Sequence, residues 1–301
     1  MPSFAKPVRQ AERAVRHRLA LGQPRHGNAN DGAIHSCGTA RAYAQALKLA
    51  AEWDRANGGR GLATLDGPRA LAYLTERAEL VCQKTLDLDR QALAMLPAVG
   101  ELPRVRSAIR SSGHGARGRA YTPEQVRLIA AAQGPRTALA TEIAAAAGLR
   151  AHELFTLRPS AEQPPSGHRT WSPERFMGLE PLAHYTVVGK GGLIREVALP
   201  SAAAERLEAS RLAAPREVED RGIRYQQHYD VAGGNTWSSS FSQAAKRALG
   251  WSTGAHSLRH SYAQQRMDCL QGRGLTYTAS LEIVSQEMGH FRGDITEVYL
   301  R

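Results

Sequence analysis

No stretch of about 18 or more apolar residues occurs in this chain, so the sequence offers no membrane-spanning helix. The opening segment, MPSFAKPVRQAERAVRHRLA, lacks the apolar core of a secretory signal. Cysteine is scarce. Cys37, Cys82 and Cys269 stand apart and form no CxxC pair, which suits a reducing compartment rather than a disulfide framework. Neither HExxH nor paired CxxC appears, which leaves no metal motif. Acids are also in short supply, 28 against 39 Lys and Arg, for a net charge of +11. That imbalance points to an anionic partner, most often nucleic acid, because neutralising phosphates releases counterions.

What is present is organised. With 301 residues, 42% of them of hydrophobic type, the chain has room for two domains. Residues 1–40 carry six basic and two acidic side chains, and residues 101–120 carry five and one, so two segments hold +8 of the +11. Residues 1–36 read as a flexible basic arm, with a short helix allowed near 11–21. Residues 37–110 read as an all-helical domain of about four helices. Within it, TARAYAQALKLAAEWDRANGG spaces Tyr43, Leu47, Ala50 and Trp53 helically before Gly58 and Gly59 stop the helix. Residues 111–120, small, basic and glycine-containing, read as a linker.

Residues 121–301 then form a second, α-rich domain. In YTPEQVRLIAAAQ, Thr122, Pro123 and Gln125 make a capping box. PRTALATEIAAAAGLR is a helix with side chains small enough for close packing. In AHYTVVGKGGLIREVALP, two β-branched runs flank a glycine-lysine turn, which predicts one small antiparallel sheet. A Pro-rich insertion, 159–182, precedes it, and helices follow near 201–212, 237–249, 256–270 and 276–288.

Four places concentrate cationic and hydrogen-bonding chemistry. They are Arg150 and Glu153 in GLRAHEL, Lys190 in GKGG, His256 and Arg259 in HSLRH, and His290 in MGH with Tyr299 nine residues on. Singly, each has an ordinary explanation: a surface ion pair, a solvated lysine, a polar helix face, a buried tyrosine. In this order, they resemble the catalytic signature of the tyrosine recombinases, the phage-integrase family. The resemblance covers about residues 121–301, and residues 37–110 resemble that family's core-binding domain in arrangement only.

The resemblance implies a mainly α fold, with a helical core-binding domain and an α-rich catalytic domain containing a small antiparallel sheet. It implies a site-specific recombinase or integrase that cleaves and rejoins DNA through a 3′-phosphotyrosine and a free 5′-hydroxyl, without metal, ATP or other cofactor. Integration or excision of a mobile element is the implied setting.

The chemistry of the residues agrees with that role. A phenol with a pKa of about 10 is a weak nucleophile, and a cationic pocket helps it lose its proton. Arg150 and Arg259 can offer forked donors to the non-bridging oxygens, with His256 and His290 adding hydrogen bonds and one of them taking the tyrosyl proton. Lys190 is the expected general acid for the departing 5′ oxygen, and Glu153 an orienting group. Arg104, Arg106, Arg110, Arg117 and Arg119 are the expected DNA-backbone contacts.

The implied partners are double-stranded DNA carrying specific recombination sites and three further copies in a homotetramer, with accessory DNA-bending or directionality proteins as further options. The implied location is the bacterial cytoplasm, with the nucleoid. Only Leu300 and Arg301 follow Tyr299 in the sequence, which leads us to expect a lightly tethered nucleophile and protomer contacts from residues 1–36 or the insertion. The alternatives are a non-catalytic DNA-binding protein of the same fold and a type IB topoisomerase-like enzyme. A metal-dependent nuclease is a third.

Overall fold

The computed structural model describes residues 5–23, 32–109 and 118–300. The chain divides into two compact units between Gly115 and Ala116. Among the described residues the first holds helices α1 (Pro7–Arg16), α2 (Cys37–Ala56), α3 (Gly67–Ala78) and α4 (Gln83–Ala94). Ser36 caps α2 through Thr39 N, and Asp66 caps α3 through Arg69 N.

The sequence reading differs here in two respects. Among the described residues the span 37–110 contains three α-helices and a 3-10 turn at Gly61–Ala63, and beyond α4 Pro97 and Pro103 lack the backbone donors a further helix would need. The unit's other α-helix among the described residues is α1, which lies at Pro7–Arg16 in the segment read as a flexible arm with a short helix allowed near 11–21. Ala11 and Val15 on one face of α1 join Leu47, Leu74 and Leu93 in the core, so burial of a narrow apolar stripe holds a strongly basic helix in place.

The second unit opens with α5 (Pro123–Ala131), closed at its start by the predicted Thr122–Gln125 capping box, and α6 (Pro135–Ala147). The alanine-rich α6 lies in the core, burying Leu139, Ala140, Ile143 and Ala144. Each large side chain so buried contributes about 1.5–3 kcal/mol. Strands β1 (Arg158–Pro159), β2 (Leu182–Val188) and β3 (Ile194–Pro200) form an antiparallel sheet in that order, with Tyr185 opposite Val197 and Val187 opposite Arg195. Helix α7 (Ser201–Glu208) follows.

A second hairpin, β4 (Arg211–Asp220) and β5 (Ile223–Tyr229), was not expected from sequence, which predicted one sheet. Most of β4 is exposed, so its charged side chains show no apolar alternation. The hairpin is instead turned by Arg221 and Gly222, both at positive φ (54° and 78°), a pairing suited to a tight two-residue turn. Asp220 then accepts a hydrogen bond from Asn235 N at 2.8 Å, tying the turn to the start of α8 (Gly234–Leu249).

The remaining helices are α9 (Leu258–Gly272), α10 (Tyr277–Glu287) and the short α11 (Gly293–Glu297), ending in a 3-10 turn over Val298–Leu300. Helices α9 and α10 build their own apolar cluster from Ala263, Met267, Leu270, Ile283 and Val284, against which Tyr299 and Leu300 pack. No helix among the described residues is long and apolar enough to cross a membrane.

Candidate active site

The site is built around two helix ends. Helix α6 stops at Gly148, which takes a left-handed φ of 57°, and a Cβ there would stand 2.7 Å from the Tyr262 ring. The turn exposes the Gly148 carbonyl, which accepts from Nη1 of Arg259 and, at 3.4 Å, from Nη2 of Arg195. Two residues on, Arg150 lies outside any helix, and Glu153 starts a single 3-10 turn. Fully buried, Glu153 accepts from Arg150 N at 2.8 Å, Arg150 Nη1 at 2.7 Å and Arg195 Nη2 at 2.7 Å. Burial acts to raise its carboxyl, but Arg195, Arg150 and Arg259 outweigh that and hold it well below the usual range.

Arg195 was not among the residues singled out from sequence, although a signal for it exists. On β3, residues 195, 197 and 199 share the buried face, so an arginine stands where the alternation calls for an apolar side chain. A fully buried charge needs a partner, and Glu153 supplies it.

The second helix end is that of α10. The Glu287 carbonyl accepts from Arg195 Nη1 at 2.6 Å and the Met288 carbonyl from Arg259 Nη2 at 3.0 Å. These are carbonyls that a helix terminus leaves unpaired, carrying the negative end of its dipole. Gly289 follows at φ 71°, and a Cβ there would meet Arg195 Cδ at 2.8 Å. Next comes His290. Its Nε2 lies 2.9 Å from Arg259 Nη2 and its Nδ1 3.1 Å from Thr296 Oγ1. Because a guanidinium only donates, Nε2 is the acceptor, which puts the ring proton on Nδ1, donated to Thr296.

Tyr299 closes the arrangement. Its hydroxyl is 3.2 Å from His256 Nε2. Its ring stacks on His290 at 5.1 Å and 26°, lies 4.8 Å from the His260 ring, and has the Arg259 guanidinium 5.4 Å from its centroid. Its main-chain carbonyl accepts from Gln264 Nε2 at 3.2 Å. His256 itself is held from the other side. Tyr121 accepts from Thr253 N at 2.7 Å and donates its own N–H to Ser261 at 2.8 Å, bracketing the 3-10 turn, Ala255–Ser257, on which His256 sits.

Among solved structures, the XerH site-specific recombinase bound to palindromic difH substrate, in a post-cleavage complex, matches 100% of this chain and 94% of its own, with 14% identity and a TM-score of 0.56. The pre-cleavage complex of XerH with difH matches 98% and 92%, with 15% identity and a TM-score of 0.53. A lambda integrase tetramer bound to a Holliday junction matches 99% and 78%, with 15% identity and a TM-score of 0.51. The chain has the tyrosine recombinase fold. No protein-family model and no curated protein matches its sequence.

Within the recombinase fold, six of the seven residues singled out at those four places meet: Arg150, Glu153, His256, Arg259, His290 and Tyr299. The seventh, Lys190, is exposed on the β2–β3 turn. Its neighbour Gly189 reaches the site, since a Cβ there would lie 3.4 Å from Glu153 Oε1 and 4.0 Å from Arg150 Nη1. The lysine thus stands one residue beyond the cluster, on a glycine-rich turn.

Arg259 differs from the fork drawn from sequence. It is fully buried and both terminal nitrogens already donate to protein, while its Nε–H has no partner among the described residues. The side chain of Arg150, 21% exposed, is the more open of the two.

Of the expected DNA contacts, Arg104 pairs with Asp87 through Nε at 3.2 Å and Nη2 at 2.9 Å. Arg106 and Arg119 are exposed, and Arg110 and Arg117 lie outside the described residues.

The electrostatics have one sign. Burial, then Arg259 and Arg150, lower the His256 pKa to about 4. Burial, then Arg259, Arg150 and Arg195, lower that of His290 to about 3. Burial and the neighbouring Arg150 bring Arg259 down to about 9, so it remains charged at neutral pH. Both imidazoles are therefore neutral at pH 7, and His256 Nε2 is free to receive a proton from Tyr299. Such a concentration of cationic charge is relieved by an anion.

Proposed function

We propose that the chain is a site-specific DNA recombinase or integrase that breaks and rejoins strands through a phosphotyrosine at Tyr299. The observation that carries this reading is the Tyr299 hydroxyl 3.2 Å from a neutral His256, inside a group of arginines that share the buried carboxylate of Glu153.

The chemistry follows from the geometry. Tyr299 Oη attacks phosphorus as its proton passes to His256 Nε2, forming the tyrosyl O–P bond. The bond from phosphorus to the 5′ oxygen breaks, and Lys190, carried in on its glycine-rich turn, gives that oxygen a proton. Charge building on the non-bridging oxygens is met by Arg150 and by the Arg259 Nε–H, while His290 accepts from Arg259 and donates to Thr296, holding that guanidinium in place. Rejoining is the reverse, with an incoming 5′-hydroxyl as nucleophile. No water is consumed, because the energy of the phosphodiester is kept in the tyrosyl ester. Glu153 fixes Arg150 and Arg195 and touches no substrate.

The basic composition suits a duplex partner. The neighbours in fold include a tetramer on a Holliday junction and complexes with difH substrates, which supports double-stranded DNA with specific sites and a four-protomer assembly as the working state. Accessory DNA-bending or directionality proteins fit the same scheme, in the bacterial cytoplasm.

The test is a duplex nicked next to the scissile phosphate, so that the freed fragment diffuses away and the covalent complex accumulates. The wild-type protein should form a denaturant-resistant adduct that Tyr299→Phe cannot form while binding the same duplex equally. DNA binding by the wild type with no adduct on any recombination-site library would leave a binding protein instead.

A further inference from the structure

His256, His260 and Gln264 follow one another at intervals of four, and so lie along one face of α9 and the turn that leads into it. All three meet Tyr299: His256 the hydroxyl, His260 the ring and the main chain, and Gln264 the main-chain carbonyl. The first contact belongs to the chemistry; the last does not. The Tyr299 carbonyl lies in a three-residue 3-10 turn, and Gln264 Nε2 donates to it at 3.2 Å. The opposite side of this segment is open: Ile295 and Val298 are 37% and 52% exposed. The segment is thus held by Tyr299 and Leu300 on the α9–α10 cluster, by the side-chain contacts of Thr296 with His290 and of the Tyr299 hydroxyl with His256, and, at the Tyr299 main chain, by the amide of Gln264.

We propose that Gln264 is a positioning residue, a latch on the main chain of Tyr299 that sets how much of the time the tyrosyl oxygen stands within reach of His256. The inference depends on the recombinase reading only in calling Tyr299 the nucleophile; the latch itself is a property of the DNA-free protein. A side-chain donor on the backbone can do what a contact on the ring cannot. It fixes the residue while leaving the phenol free to turn toward phosphorus. It also acts on the docking equilibrium alone, since the amide has no charge and lies at the far end of the residue from the reacting atom.

The experiment compares the wild type with Gln264→Leu, which keeps the bulk and removes the donor, and Gln264→Glu, which replaces the amide donor with an acceptor facing a carbonyl. In the free protein, amide hydrogen exchange across residues 296–300 should quicken roughly fivefold in Gln264→Leu, the worth of one ordinary hydrogen bond, and at least as much in Gln264→Glu. Exchange in α9 and α10 and the thermal midpoint should stay at their wild-type values. On the nicked duplex, single-turnover adduct formation should slow by a comparable factor with DNA affinity unchanged. Wild-type exchange at 296–300 in both variants overturns the latch. So does faster exchange spread across α9 and α10 with a lowered midpoint, which marks a merely structural side chain. Absence of adduct in the wild type overturns the recombinase reading instead and leaves the exchange result to decide the latch.

Discussion

Glu153 is the group on which the electrostatics of the site turn, and Glu153→Gln tests them. The wild-type carboxylate takes three donors, two from Arg150 and one from the fully buried Arg195. Glutamine has the same shape but only one oxygen, so at least one donor meets an NH₂ group. The larger loss is the charge. Arg195 is wholly enclosed, and its other acceptors are the neutral carbonyls of Glu287 and Gly148. Removing one partner of a buried ion pair costs about 3–5 kcal/mol, because the other is left as an uncompensated buried charge. For a unit of this size each kcal/mol moves the midpoint by about 2–4 °C, so the second unit should melt roughly 6–20 °C lower. Urea unfolding followed through Trp237, buried in that unit, reads the change.

The pH dependence gives an independent check. The folded carboxyl lies below its unfolded value of about 4.3, so its contribution is complete above that value and is lost as pH falls toward the folded pKa. The gap between wild type and variant should therefore be constant from pH 8 to 5 and shrink only below about 4. A loss under about 1 kcal/mol at pH 7 would refute the view that Glu153 is the counter-charge of the site.

Gly289→Ala places a Cβ against Arg195 Cδ at a positive φ, and should cost roughly 1–3 kcal/mol in a urea melt along with most of the adduct yield; an unchanged melt would contradict the close approach. His256, with its pKa near 4, stays neutral well into acid, so the rate of adduct formation should hold nearly level from pH 7.5 to 5.5. A base with an ordinary imidazole pKa of about 6.5 would lose close to tenfold over that range, and such a loss would remove His256 from the role. Lys190→Ala should halt cleavage of an ordinary phosphodiester. It should spare a substrate whose bridging 5′ oxygen is replaced by sulfur, since a thiol with a pKa of about 8.5 leaves without an acid; equal losses on both substrates would argue against proton donation by this lysine.

The parts of the fold legible in the sequence were those whose local signals agree with their packing. The Thr122–Gln125 cap, the alanine-rich α6 and the glycine-turned β2–β3 hairpin are each specified within a dozen residues. The hairpin β4–β5 escaped because its charged, mostly exposed strand has no apolar period and its turn signal is only Arg221-Gly222. The docking of α1 was not legible: a short helix was allowed near 11–21, but a +4 segment rich in Arg reads as solvated, whereas two small apolar side chains are buried in the core from Pro7–Arg16.

In the site, the ordered motifs named most of the side chains that gather there, Glu153 included, but not all of those that hold them. Arg195 was concealed in a strand pattern, and Gln264 has no chemical signature at all. Both become visible only when elements distant in sequence are brought side by side.

Arg195 and Arg259 are held partly by oxygen atoms of the polypeptide itself, at residues 148, 287 and 288. Main-chain atoms survive nearly every codon change. A lineage can therefore rewrite most of its side chains and still deliver guanidinium groups to the same spot, provided two helices continue to finish where they do. The geometry that matters here is stored in where the helices stop, which is a form of memory that percentage identity does not measure.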